Sequence, residues 1–196
     1  MAKAILLSGG LDSIALAYWK RPNYAITINY GQKPAEGEIR ASRAVAKNLG
    51  LEHSVVEVDC SKLGSGDLAG KEALEMAPES EWWPYRNQLL VTLGCMKGIS
   101  LGINEIILGS VNSDDFHVDG TPEFYEMINE LISLQEGDIK VTTPAIEYSS
   151  VELIQKSKVP KKVLFWAHSC HKNSIACGNC RGCTKYYKTM KQLGYK

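Results

Sequence analysis

At 196 residues the chain suits one domain with room for a small appendage, and it can bury a full core. Hydrophobic residues make up 44% and charged residues 22%, and no window is apolar enough to span a bilayer or to form a secretory leader. Disordered, fibrous and membrane-spanning classes are thereby excluded, and the expected place is the cytosol, where six cysteines act as thiols or metal ligands rather than disulfides. Net charge is zero, but Glu152 is the last acidic residue, and residues 153–196 carry ten of the 22 Lys and Arg. So basic a tail fits an anionic substrate or partner, or packs against the acidic body.

The first strand signal, Ala4–Leu7, runs into Ser8-Gly9-Gly10-Leu11-Asp12-Ser13 and then a helical stretch, Ile14–Trp19. A strand, a Gly-rich turn and a helix start present unpaired N–H groups and the positive helix end to an anion. Gly9 and Gly10 permit close backbone approach and positive φ. Ser8 and Ser13 add hydroxyls. Asp12 suits either a helix cap or a Mg²⁺ riding on phosphates. The loop is neither a Walker loop nor a G-x-G-x-x-G turn.

Tyr24–Tyr30 reads as the second strand, residues 34–49 as a helix stopped by Gly50, and Ser54–Val58 as the third strand. Alternating strands and helices predict an α/β fold with a parallel, doubly wound, Rossmann-like sheet and helices on both faces. Tyr30, Gly31 and Gln32 then stand at a ligand-facing strand end, although a plain turn explains Gly31 equally well. Residues 60–85 lack a period and form a candidate lid. They end in Trp82-Trp83-Pro84-Tyr85-Arg86-Asn87, before a helix from Gln88 to Leu101. Arg86 suits a carboxylate or phosphate; the aromatics equally suit a plug over the core. Strand four, Glu105–Ser110, leads into Asp114, Asp115, His117 and Asp119, which face a substrate or metal, or form a solvated acidic loop. Thr121-Pro122 starts the next helix, Lys140–Pro144 is a fifth strand, and Ser149–Lys156 a further helix.

In the tail, Cys170, Cys177, Cys180 and Cys183 are spaced C-x6-C-x2-C-x2-C. Four soft ligands at this spacing fit a closed, structural Zn²⁺ site, with an iron–sulfur cluster as the rival and His168 or His171 as substitute ligands. The expected division is an α/β body over 1–160, which carries the anion-binding loop, and a zinc-binding segment over 161–196 packed on it.

Ser8–Ser13 resembles the pyrophosphate loop of the ATP-pyrophosphatase superfamily. The ordered set Tyr30-Gly31-Gln32, Pro84-x-Arg86-Asn87, Gly109-x-Val111-Asn112, Pro122-Glu123-Phe124, Thr143-Pro144 and the four cysteines resembles the 7-cyano-7-deazaguanine (preQ0) synthase family of queuosine and archaeosine biosynthesis, over nearly the whole chain. The resemblance implies an ATP-dependent ligase. ATP adenylates 7-carboxy-7-deazaguanine, ammonia displaces AMP to give an amide, and a second ATP drives its conversion to the nitrile. It implies ATP at Ser8, Gly9, Gly10, Leu11, Asp12, Ser13, Tyr30, Gly31 and Gln32; catalysis by Asp12, Ser13 and Arg86 with Mg²⁺; and substrate at Trp83, Arg86, Asn87, Asp115 and Asp119. Subunits of the family tend to pair, so a homodimer is expected.

Three departures fall in the substrate region. Tyr85 stands where the family usually has Gly and is expected to crowd the pocket, Thr121 replaces an Arg, and the loop after Asn112 is short. They leave open a divergent paralogue of antiviral defence operons, which would join a deazapurine-type group to a protein or nucleic-acid partner, with the basic tail as docking surface. A zinc-bearing RNA-binding module is disfavoured by zero net charge.

Overall fold

The computed structural model describes residues 2–112 and 117–195. Five strands, β1 (Ala2–Leu6), β2 (Tyr24–Asn29), β3 (Glu52–Glu57), β4 (Ile103–Ile107) and β5 (Lys140–Thr142), form one sheet in the order β3-β2-β1-β4-β5. Every pairing is parallel. The chain winds outward from β1 to β3, then crosses to β4 and winds out the other way. The β1/β4 junction is therefore the topological switch point, where the carboxyl ends of the strands leave a crevice.

Among the described residues, eight α-helices flank the sheet: α1 (Leu11–Lys20), α2 (Ala35–Leu49), α3 (Gly66–Ala69), α4 (Arg86–Ser100), α5 (Pro122–Ser133), α6 (Ser150–Ser157), α7 (Lys161–Leu164) and α8 (Arg181–Gln192). Strand side chains alternate between two cores. Ile5 and Ile107 face a core with Ile14, Val45, Leu153, Leu164 and Met190 from α1, α2, α6, α7 and α8. Ala4 and Ile106 face a second core with Val91 of α4 and Tyr125, Ile128 and Ile132 of α5. α7 and α8, from the tail, thus bury apolar side chains in the same core as α1.

The expected starts are present. The Thr121 hydroxyl accepts from Phe124 N–H at 3.3 Å, with Pro122 first in α5. Ser149 and Glu152 form a reciprocal capping box on α6. Thr121, one of the departures, thus has a capping role. Sequence periodicity missed α3, α7 and α8; the first two span four residues each, too short for a period to show. No helix among the described residues is long and apolar enough to cross a membrane.

Candidate active site

The Ser8–Ser13 loop sits at the switch point. Gly9 has φ +79, and a Cβ there would come within 2.8 Å of the Glu38 carbonyl and 2.9 Å of Ala41 Cβ, so the loop lies flush on α2. Only Gly9 uses the left-handed region; Gly10 is extended at φ −77 and is the N-cap of α1. The cap makes no side-chain hydrogen bond, which leaves the first N–H groups of α1 directed outward. Ser13 Oγ donates to the Gly10 carbonyl at 3.0 Å and lies 3.2 Å from Ser8 Oγ. Across the crevice, a Cβ on Gly109 would press within 3.1 Å of Ser13 Cα, so the segment after β4 needs glycine to sit against α1. Asp12 does not cap the helix. Its Oδ2 accepts from Lys185 Nζ of α8 at 3.0 Å, and its Oδ1 is buried without a partner. Side chains 16% and 40% exposed make this a modest ion pair, of about 1 kcal/mol or less.

At the end of β2, Tyr30 lies edge-on to Trp83, ring centroids 4.8 Å apart. Burial pushes the Tyr30 phenol above its ordinary value, and the Arg86 guanidinium opposes that shift. Gln32 is fully committed: Oε1 accepts from Tyr30 N–H at 2.8 Å, while Nε2 donates to the Ile28 carbonyl at 3.1 Å and Glu38 Oε2 at 2.7 Å. Gly31, at φ +92, lies against Ser61. Burial lifts the Glu38 carboxyl to about 7, against the opposing pull of the Gln32 hydrogen bond and the Arg86 charge. A carboxyl titrating there can hold or release a proton at neutral pH.

The turn before α4 overturns one expectation. Tyr85 does not crowd the pocket: its side chain is 78% exposed, and its backbone is left-handed at φ +54. Glycine suits this position for its backbone, not for its missing side chain. The Asn87 N–H donates to Asp119 Oδ2 at 3.1 Å, and Asn87 Nδ2 donates to the Asp119 carbonyl at 2.7 Å. Asp119 thus fixes the first turn of α4, which carries Arg86.

A cleft of about 960 Å³ opens from the loop between α4 and α8, at the upper end of small-molecule sites, about 300–1,000 Å³. Ser8, Gly10, Asp12, Ser13, Tyr30, Arg86 and Asn87 line it. Gly9, Leu11, Gly31, Gln32, Trp83 and Asp119 stand behind these residues rather than on the wall. Asp115 lies outside the described residues.

Arg181, Lys185 and Lys188 also line the cleft, one face of α8 at i, i+4 and i+7. The basic tail stood out in the sequence; this spacing, the signal that marks them, was missed. Glu81, His117 and His171 line it too; His117 was expected to face a substrate or metal and His171 to stand in as a zinc ligand, while nothing in the sequence marked Glu81. Glu81 Oε1 accepts from Arg181 at 3.0 Å and stands 3.7 Å from His117 Nε2. Burial would raise the Glu81 carboxyl, but His117, His171 and Arg181 outweigh it and hold it at about 2. Among the described residues, six buried side-chain polar atoms lack a hydrogen-bond partner. Five of them line this cleft: Asp12 Oδ1, Glu81 Oε2, His117 Nδ1, Ser150 Oγ and His171 Nδ1. Each such atom costs about 1–3 kcal/mol unless something binds it. Their convergence marks a ligand site.

The four cysteines gather as the spacing requires. Their sulfur atoms lie within 4.8 Å of one another, with Cys180–Cys170 at 3.9 Å and Cys177–Cys183 at 4.0 Å. A tetrahedron of sulfurs about 2.3 Å from a zinc ion has edges of about 3.8 Å, so the cluster is consistent with a zinc site. Cys180 Sγ also accepts from Cys183 N–H at 3.4 Å and His171 N–H at 3.3 Å, making it the cap of α8.

A family model described as "Queuosine biosynthesis protein QueC" matches residues 3–194. The chain belongs to that family. It is 29% identical to 7-cyano-7-deazaguanine synthase 1 of Desulfitobacterium hafniense, covering 96% of this chain and 90% of that one. It is 30% identical to the 7-cyano-7-deazaguanine synthase of Desulforudis audaxviator, over 99% and 98% of the two chains. The alignments extend over 204 and 220 positions, more than the 196 residues present here, so these relatives carry residues that this chain lacks. Among solved structures, the U34-tRNA thiolase NcsA from Methanococcus maripaludis, with its 4Fe-4S cluster, superposes with a TM-score of 0.51 at 15% identity, over 99% of this chain and 64% of that one. That likeness is one of fold.

The partly buried Glu38, on the cleft wall, makes stability pH-dependent. Its carboxyl is raised from 4.5 to about 7 on folding, so the native state holds its proton more tightly than the unfolded chain. The resulting penalty is absent below pH 4.5, grows as pH rises, and is complete above about 7. Glu38→Gln is expected to flatten the melting temperature between pH 4.5 and 8 relative to wild type, with its largest relative gain at pH 8, as followed by thermal denaturation monitored by circular dichroism.

Proposed function

We propose that the chain converts 7-carboxy-7-deazaguanine and ammonia to 7-cyano-7-deazaguanine, cleaving ATP between its α and β phosphates. The observation that carries the proposal is the Ser8–Ser13 loop. It opens at the switch point into a cleft with a basic face on α8, in a chain that matches the family from residue 3 to 194.

In this reaction the free N–H groups at the start of α1, with the Ser8 and Ser13 hydroxyls, bind the leaving pyrophosphate. Lys185 turns from Asp12 toward the triphosphate, and Lys188, one turn further along α8, adds a second charge. Arg86 holds the substrate carboxylate by its guanidinium fork while it attacks the α phosphorus. Tyr30, braced by Trp83 and Gln32, forms the wall beside the nucleotide. Ammonia then displaces AMP, and a second ATP drives the resulting amide to the nitrile. The unpartnered Oδ1 of Asp12 is an oxygen donor suited to Mg²⁺, which would neutralise phosphate charge when bound.

We assign the four cysteines to a structural Zn²⁺. All four positions are taken, so the ion would have no open site for chemistry. Its part is mechanical: Cys180 caps α8, and Cys170 precedes His171, so the knot sets the cleft wall. Residues 161–196 are accordingly a zinc-bearing segment that completes the ATP-binding body.

Purified protein with 7-carboxy-7-deazaguanine, ammonia and ATP is expected to give AMP and the nitrile by mass spectrometry; the absence of both would refute the assignment. Asp12→Asn is expected to lose at least about a hundredfold in AMP release with an unchanged circular-dichroism melt, and wild-type turnover would contradict its role. Cys180→Ser is expected to lose metal and stability together. Retention of one equivalent of zinc by atomic absorption, with an unchanged melt, would contradict that.

A further inference from the structure

The cleft has two polar ends. One is the Ser8–Ser13 loop with Asp12 and Lys185. The other is built by Glu81, from the segment before α4, with His117 and His171. The sequence left Glu81 unmarked, read His117 as facing a substrate or metal and His171 as a substitute zinc ligand; each of the three holds a buried polar atom without a partner: Glu81 Oε2, His117 Nδ1 and His171 Nδ1. The Glu81 side chain is only 8% exposed. Its Oε1 is oriented by Arg181 at 3.0 Å, which in turn is braced by Glu79 at 3.1 Å. The carboxylate is thus held firmly, with its second oxygen left over.

A metal does not explain this arrangement. Among the described residues, only the four cysteines bring three or more ligand atoms together at metal-binding distance. A guanidinium already sits on Glu81 as well. What a fixed, buried carboxylate oxygen lacks is a neutral N–H donor, and a planar heterocycle with adjacent N–H groups supplies one at no cost in charge.

We propose that Glu81 is the residue that recognises the ring N–H and exocyclic amino edge of the deazaguanine, with His117 beside it at the same end of the cleft. This rests on the function proposed above and adds the residue that selects a guanine-type ring over one without the 2-amino group. Asp119 is not placed for that work: it stands behind the cleft wall, with its Oδ2 on the Asn87 N–H. The chain itself thereby places the heterocycle toward the segment before α4 and its carboxylate toward the Ser8–Ser13 loop, with Arg86 on the wall between α4 and the cleft.

The test is calorimetric binding of 7-carboxy-7-deazaguanine and of its 2-deamino analogue to the full zinc-loaded chain. Wild type is expected to prefer the amino compound by at least about tenfold, the range for a hydrogen bond to a charged group. In Glu81→Gln the amide oxygen is claimed by Arg181, so the amide N–H₂ faces the ligand's own donors. The variant is expected to weaken both compounds through the ring N–H they share and to lose the preference for the amino compound, while binding ATP within about twofold of wild type. Equal binding of both compounds by wild type would overturn the inference whether or not the variant folds. So would a variant that keeps the preference, or one that weakens both compounds and ATP alike, since Glu81 would then only anchor its segment to α8. Failure of wild type to bind either compound would overturn the functional assignment, and this inference with it.

Discussion

Two contacts close the site. The His168 N–H donates to the Gly9 carbonyl at 2.8 Å, and the Lys185 ammonium sits on Asp12 at 3.0 Å. Both bring the tail of the chain onto its first loop, across more than 150 residues of sequence. Without them the sheet would still present an anion-binding turn at the β1/β4 junction, but one open to water on the side that α8 now covers. Desolvation strengthens every electrostatic interaction in such a crevice. The reach of α8 therefore decides whether the loop is a general anion site or half of an enclosed one.

The position of α8 depends in turn on the cysteine cluster. Cys180 is both a member of the cluster and the cap of α8, so the first turn of that helix is tied to the knot. Gly182 shows how tight the junction is: a Cβ there would overlap the Ser169 carbonyl and meet the His171 ring at 2.6 Å. Arg181, Lys185 and Lys188 follow on one face of the helix and inherit their placement from it. The charge imbalance of the chain thus has a local meaning, because part of the basic tail lines the cleft next to Asp12.

The parallel sheet and the first loop were largely legible in the sequence because they rest on local rules. Apolar runs of strand length, the stop at Gly50, the cap at Thr121 and the cysteine spacing each act over a few residues. The wall of the cleft was not legible in the same way. Glu81 lies in a segment without period, and its neighbours His117 and Arg181 come from distant parts of the chain, so only folding reveals a buried carboxylate with one oxygen unmet. Tyr85 shows the opposite error. Its bulk suggested a steric effect, whereas the constraint at that position is a left-handed backbone and the ring points to solvent.

Among the described residues, five of the six buried polar atoms left unpaired lie in the cleft, so stability is given up where ligands bind. The central claim is the proposed one, that the Ser8–Ser13 loop receives a departing pyrophosphate rather than a single phosphate. It is tested most directly by ³¹P NMR of the wild-type chain turning over ATP with 7-carboxy-7-deazaguanine and ammonia. Signals of AMP and pyrophosphate growing together are the expected result; ADP and inorganic phosphate as the primary products would contradict it.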